Sequence, residues 1–321
     1  MKRRGLKYLS ALGLVALTAC ATTPEPRQPP TISPRPQERV QETEPQIAAP
    51  LFDERSAALR RYYQRIENNY VVRGMLRTDG GGPDTPFTDE MLARNFVRIA
   101  LFDEYVVEGD SLRARATESR LRRWEQPIRM SVEFGASVPA AQQATDTAEV
   151  TAYASRLSRL TGVPITMTDR DPNYYVLFLD ETDRRAAEDR LRQMVPGISP
   201  SSLRAILNLP RNQLCIVVAF SQPGQSEYVK AIAVIRAEHP PLLRKSCIHE
   251  ELAQGMGLAN DSRAARPSIF NDDEEFGLLT TQDELLLQML YDRRLSSGMT
   301  PQEAAPIAAT IATELTTAGA S

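Results

Sequence analysis

The chain is poor in the side chains that bind transition metals. In 321 residues it has two histidines, His239 and His249, and three cysteines, Cys20, Cys215 and Cys247. Catalytic zinc usually takes three protein ligands and structural zinc four, mostly His or Cys. No stretch here offers that set, and no cofactor is expected. Long basic runs are lacking too. The formal net charge is −3, and the one basic cluster beyond the first residues, Arg113 to Arg123, is short and broken by Glu118. Nucleic acid is therefore excluded as a partner. The apolar run Tyr8 to Ala19 is well short of the roughly 20 residues that span a bilayer. Neither a nucleophile elbow nor a phosphate cradle is present, since Gly80-Gly-Gly has no Lys-Ser/Thr after it. No internal repeat occurs.

What the chain does have begins with an export signal. Met1-Lys-Arg-Arg is a basic leader, Tyr8 to Ala19 a short apolar core, and Leu17-Thr-Ala-Cys20 resembles the lipobox of bacterial lipoproteins. That resemblance implies removal of residues 1–19 and acylation of Cys20. The mature chain would carry 34 Lys and Arg against 41 Asp and Glu, a net charge near −7. Acyl chains rather than basic residues would then hold it to the membrane. By the usual sorting rule the absence of Asp at position 21 points to the outer membrane, facing the periplasm. Cys215 and Cys247 would lie in an oxidising compartment, where a disulfide between them is expected; two separately buried thiols are the alternative.

Residues 20–50 are rich in Pro, Gln, Thr and Glu and are expected to form a disordered tether. The region 51–117 is expected to be helical. Leu59, Tyr62, Tyr63, Ile66 and Tyr70 fall at three-to-four spacing, and a second helix opens near Thr88 and runs through Phe102. These two would pair and cover a larger core. A mixed α/β domain is expected over 118–298, so the class is α+β. Its strands are read at Ile128–Phe134, Pro164–Thr168, Tyr174–Leu179, Leu214–Phe220 and Tyr228–Ile235. Helices are read from an Asp146 cap to Leu160 and, exposed and charged, over Asp183–Met194. Thr281-x-x-Glu284 and Thr300-x-x-Glu303 read as capping boxes, the second opening a C-terminal helix within 299–321. Asp272-Asp-Glu-Glu275 reads as a solvated acidic face.

The stretch Ser246-Cys-Ile-His-Glu-Glu-Leu-Ala-Gln-Gly-Met-Gly-Leu-Ala-Asn-Asp261 is the expected centre of function, because ionisable groups on an apolar helix must find partners. The order strand, helix, four strands, helix, irregular turn, helix resembles the metzincin zinc peptidases, matrixins above all, whose active helix carries HExxHxxGLxH. Gly257-Leu258 matches its Gly-Leu. Aligned there, Glu251 falls on the general base, and Glu250, Gln254 and Asn260 fall on the three histidines. Starting instead from His249 places Ala253 on the second ligand. A Cys247–His249 dyad is geometrically poor, since residues two apart on a helix diverge by about 200°. Cys247-Ile-His-Glu-Glu-Leu-Ala-Gln, Ser268-Ile-Phe-Asn-Asp-Asp and Leu285-Leu-Leu-Gln-Met-Leu-Tyr291 resemble a bacterial lipoprotein family carrying domain of unknown function 2927.

The expected function is accordingly a non-catalytic, zincin-like envelope lipoprotein acting by interaction with an unidentified protein, with His249, Glu250, Glu251 and Gln254 in a buried hydrogen-bond network. One alternative is a metal-dependent, peptidase-like hydrolase with an unusual oxygen-rich site and Glu251 as general base. Another is a module that captures a peptide on a sheet edge. Cys20→Ser is predicted to abolish lipid modification and release the protein from membranes. Metabolic labelling with a fatty-acid analogue, followed by fractionation, checks this; equal labelling of mutant and parent refutes it.

Overall fold

The computed structural model describes residues 54–319 apart from 109, 110 and 272, and side chains are described outside 105–114 and 318–319. The expected signal peptide, Cys20 and the 20–50 tether lie outside the described residues. The described residues fall within one compact unit.

Tyr174–Leu179 (β5) is an unbroken apolar strand, buried at every position, as a strand covered on both faces of a parallel sheet must be. It is the middle of a five-stranded sheet. Ile128–Phe134 (β3) and Tyr228–Arg236 (β7) flank it in parallel, Ile165–Met167 (β4) pairs in parallel with β3, and Cys215–Ser221 (β6) closes the other edge antiparallel to β7. The period-two alternation of strand side chains splits the core. Val176, Phe178, Ala231, Ala233 and Ile235 join one cluster, and Tyr175, Leu177, Ile232, Val234 and Ile216 join another on the opposite face. The first is covered by Ala140–Thr161 (α3), Pro241–Gln254 (α7) and Thr281–Leu290 (α8). The second is covered by Glu188–Met194 (α5) and Pro200–Leu207 (α6).

The α+β class is therefore observed, and the five expected strands are present within a residue or two of their expected bounds. Region 51–117 differs from expectation. Glu54–Val72 (α1) and Asp89–Ala100 (α2) go to different neighbours: α1 lies by the short helix Glu181–Arg185 (α4), while α2 packs on α8 and on the C-terminal helix Pro301–Gly319 (α9). Between α2 and the sheet an antiparallel hairpin is inserted, Phe102–Glu108 (β1) and Ser111–Glu118 (β2). Asp146 is not a helix cap. It sits inside α3, buried, and binds Arg244 of α7 at 2.7 Å. The expected exposed helix 183–194 is two short helices, with Arg184 fully buried on Glu181 at 2.5 Å. The first capping box lies one residue earlier than expected, Thr280 with Asp283, whereas the Thr300–Glu303 box forms as read. Glu275 is not merely solvated; it pairs with Arg77 at 3.2 Å and with Arg266 at 2.5 Å.

Cys215 and Cys247 form the expected disulfide, with Cα atoms 5.9 Å apart, joining β6 to α7 across 32 residues. A loop of that length implies about 2–4 kcal/mol of stabilisation. Replacing both cysteines by alanine should lower the unfolding free energy in denaturant by that amount, and an unchanged midpoint refutes it.

Candidate functional site

Helix α7 opens on Pro240-Pro241, the second proline standing where a first-turn residue needs no N–H donor. Its far end is clamped by aromatic side chains. The Tyr174 hydroxyl donates to the Glu251 carbonyl at 3.1 Å, Trp124 Nε1 donates to the Gly255 carbonyl at 2.8 Å, and Tyr291 donates to the Met256 carbonyl at 2.8 Å. A Cβ at Gly255 would meet the Tyr174 hydroxyl oxygen at 2.0 Å, so the clamp itself requires glycine there.

Positions 247, 250, 251 and 254 fall on one face of a helix, at spacings of three and four. That face turns to β6. Cys247 bonds to Cys215, and Glu250, Glu251 and Gln254 line a cleft of about 580 Å³. Residues Leu214 to Ala219 form one wall, and Asp103 and Glu104 at the start of β1 stand on another. Asp261 and Glu274 reach in from loops, Gln254 Nε2 donating to Asp261 at 3.2 Å. Arg122, at the rim, pairs with Asp103.

Glu251 is 4 % exposed. The Val217 backbone N–H donates to its carboxylate, while its Oε2 is buried with no hydrogen-bond partner. Glu250 is partly exposed on the cleft floor. Burial raises the affinity of both carboxyls for a proton well above the ordinary range. Asp261 and Glu251 add repulsion at Glu250, and Glu104 and Asp261 add it at Glu251. Ligand atoms of Cys215, Glu250 and Glu251 lie within 4.8 Å of one another. The sulfur is half of a disulfide and offers no thiolate, leaving two carboxylates that could ligate.

His249 does not reach this cleft. It projects from the other side of α7, stacks on Tyr153 with centroids 4.0 Å apart, and accepts the Leu279 N–H on Nδ1 at 3.1 Å. Burial pushes its pKa down to about 3, so it is a neutral packing residue. Asn260 is also turned away. Its Nδ2 donates to the Arg98 carbonyl at 2.8 Å and its backbone N–H to the Ile99 carbonyl at 3.1 Å, closing two of the carbonyls that end α2. The expected network is thus divided: Glu250, Glu251 and Gln254 meet in the cleft, and His249 and Asn260 hold neighbouring elements. Sequence reasoning missed Asp261, Glu104 and the β6 wall. Asp261 closes the stretch singled out and carried a signal by position; Glu104 carried none.

The family model described as "Protein of unknown function (DUF2927)" matches residues 89–310, more than half of the chain. No curated protein and no solved structure matches. The chain belongs to the DUF2927 family.

The carboxyl pair makes a pH prediction. Its folded-state pKa values lie above the unfolded value of 4.5, so the native state binds protons more tightly. That contribution to stability is complete below the unfolded pKa and is lost as pH rises through the folded one. The groups facing the pair are Glu104, Asp261 and Glu274, with Arg122 held at Asp103. Melting temperature should therefore fall as pH rises from the unfolded value of 4.5 through the raised folded-state values, and fall less in Glu250→Gln and Glu251→Gln. Parallel curves for mutant and parent refute it.

Proposed function

We propose that this DUF2927 chain is a lipid-anchored, zincin-like protein of the bacterial envelope that captures an extended polypeptide segment beside β6. The order of elements from β3 to α8 supports the zincin-like part, and the Leu17-Thr-Ala-Cys20 motif supports the anchor. The observation that carries capture is that the cleft runs along the outer edge of the edge strand, from Leu214 to Ala219.

Backbone polarity shows which groups face that edge. Ala231, opposite Ala219, sends its N–H to the Asn173 carbonyl, away from β6 and toward β5. An antiparallel pair in which one residue points away is a pair in which both do. The N–H and C=O of Ala219 therefore face the cleft, and by alternation so do those of Val217 and Cys215. The Val217 donor meets Glu251, which agrees. A strand of 7 residues at about 3.3 Å each presents roughly 20 Å of edge, room for five or six residues of an added strand. Main-chain pairing of that kind gives affinity with little demand on sequence.

The raised proton affinity of Glu251 favours one second reading, a metal-dependent hydrolase in which Glu251, in its ionised form, is the general base. Peptide cleavage by the purified protein, lost in Glu251→Gln at unchanged melting temperature, would establish it over capture.

The test of capture uses the full-length chain in detergent and fluorescein-labelled decapeptides of alternating apolar residues, read by anisotropy. Ala219→Pro removes an outward N–H and leaves the β6–β7 ladder whole, a position where proline is tolerated. It should weaken binding by about ten-fold or more while the melting temperature holds. Val218→Pro, whose N–H faces β7, should instead destabilise the protein. Equal binding by Ala219→Pro and the parent, or no binding by any peptide, refutes the proposal.

A further inference from the structure

Under that edge the cleft floor is strongly acidic, and Glu250 and Glu251 hold protons there that a bound cation would release to solvent. Six acidic side chains, Asp103, Glu104, Glu250, Glu251, Asp261 and Glu274, line the cleft together with Arg122, which pairs with Asp103 and bonds to the hydroxyl of Tyr228. A cluster of acids alone would mean little, because exposed carboxylates repel one another harmlessly in water. The distinguishing feature is the state of Glu251. A carboxyl oxygen buried without a partner forfeits its hydration, and Glu251 Oε2 is in that state on a side chain that lines the cleft, whereas Asp146 Oδ2 and Glu238 Oε2 share the state outside the cleft lining. Its companion oxygen is anchored to the Val217 N–H, so the carboxyl is fixed at the strand edge rather than mobile. Glu250 lies beside it, within 4.8 Å between ligand atoms.

Resting on the capture reading above, we propose that the cleft contains a subsite for a cationic side chain, lysine or arginine, of the captured segment, with Glu251 and Glu250 as its floor and Asp261 as its rim.

Three features favour an organic cation over a metal ion. Two carboxylates and a disulfide sulfur converge, whereas calcium takes six to eight oxygens and magnesium near-octahedral coordination. Asn260, the side chain that would have to extend the set, is committed to the end of α2. The walls, finally, are mixed: Val217, Ala219 and Tyr228 line the same cleft and suit the apolar stem of a long basic side chain whose charged head reaches the floor. An added strand also places alternate side chains into the cleft, so one basic residue reaches the floor while its neighbours point out.

The experiment extends the decapeptide panel with four members identical except at the central position, which is Lys, Arg, Met or Glu. Binding to the full-length chain in detergent is read at one pH near neutrality and at fixed salt. The Lys or Arg peptide should bind about ten-fold more tightly than the Met peptide, and the Glu peptide more weakly than either. In the Glu250→Gln/Glu251→Gln double variant the basic peptide should fall to the affinity of the Met peptide. Asp261→Asn, on the partly exposed rim, should give an intermediate loss in a protein that melts like the parent. If Met, Lys and Arg peptides bind the parent alike, the subsite is wrong and capture stands. If none binds, both fall. If Ca²⁺ or Mn²⁺ binds the parent stoichiometrically and displaces the Lys peptide from it, the floor is a metal site and the proposal is overturned.

Discussion

Ten of the fourteen residues of α7 are buried, and the rest of the structure follows from satisfying its polar groups without water. A buried charge or amide without a partner costs several times what a good hydrogen bond returns. Arg244 meets Asp146 at 2.7 Å and the His239 carbonyl at 2.5 Å. His249 takes the Leu279 N–H and stacks on Tyr153. The carbonyls at the helix end are claimed by Tyr174, Trp124 and Tyr291. The partners come from several elements, so the helix fixes the positions of α3, β5, the two ends of α8 and the segment around Trp124 together. Asp146, Glu238 and Glu251 each keep one buried carboxyl oxygen without a partner, and of the three only Glu251 lines the cleft.

The edge strand explains why such a group is tolerable. An exposed sheet edge invites uncontrolled pairing, and an inward-pointing charge is one way proteins guard it. Glu251 occupies the Val217 donor, and the disulfide pins β6 to α7 two residues earlier in the strand. The edge is thereby held in register and partly blocked, which restricts pairing to a segment that offers the carboxyl something in return. A basic side chain does that; an apolar one leaves the carboxyl buried and uncompensated. The same feature thus penalises indiscriminate aggregation and favours a chosen ligand.

Much of the fold was legible in the sequence where local pattern and tertiary context agree. Tyr174–Leu179 is apolar at every position, and the structure buries every position; no competing reading existed. Legibility failed where one local signal had two physical meanings. Asp146 followed by Glu149 looks like a helix start, yet a carboxylate is equally suited to neutralise a buried arginine 98 residues away, and that is its role. Asp183 to Met194 is charged throughout, but Arg184 is buried because three acceptors, the Ile206 and Leu207 carbonyls and the Glu181 carboxylate, cross its path, a fact no spacing reveals. The hairpin β1–β2 escaped because apolar helix spacing continued into Phe102. Within the site, Glu250 and Gln254 could be paired from i,i+4 spacing, but the side of α7 that faces the cleft depends on where β6 lies. His249 sits only one position from Glu250 and faces the opposite way.

That division also bears on the resemblance to zinc peptidases. Aligned by Gly257-Leu258, the three ligand positions become Glu250, Gln254 and Asn260. A change of ligand type alone could leave a site of different metal preference, since carboxylates and amides suit hard cations. The geometry goes further. Gly257 has φ +125°, and a Cβ there would meet the Arg122 carbonyl at 2.1 Å, so the chain turns tightly against the segment that leads into β3. The turn carries Asn260 to α2, where it donates to Arg98 and receives nothing from the cleft. Asn260 serves as a helix cap, a use that fixes α2 and the hairpin after it, and hence the Asp103–Glu104 wall of the cleft. Asn260 thereby positions the opposite bank of the groove, and Glu250 and Glu251 are left as the floor on which a ligand's charge can rest.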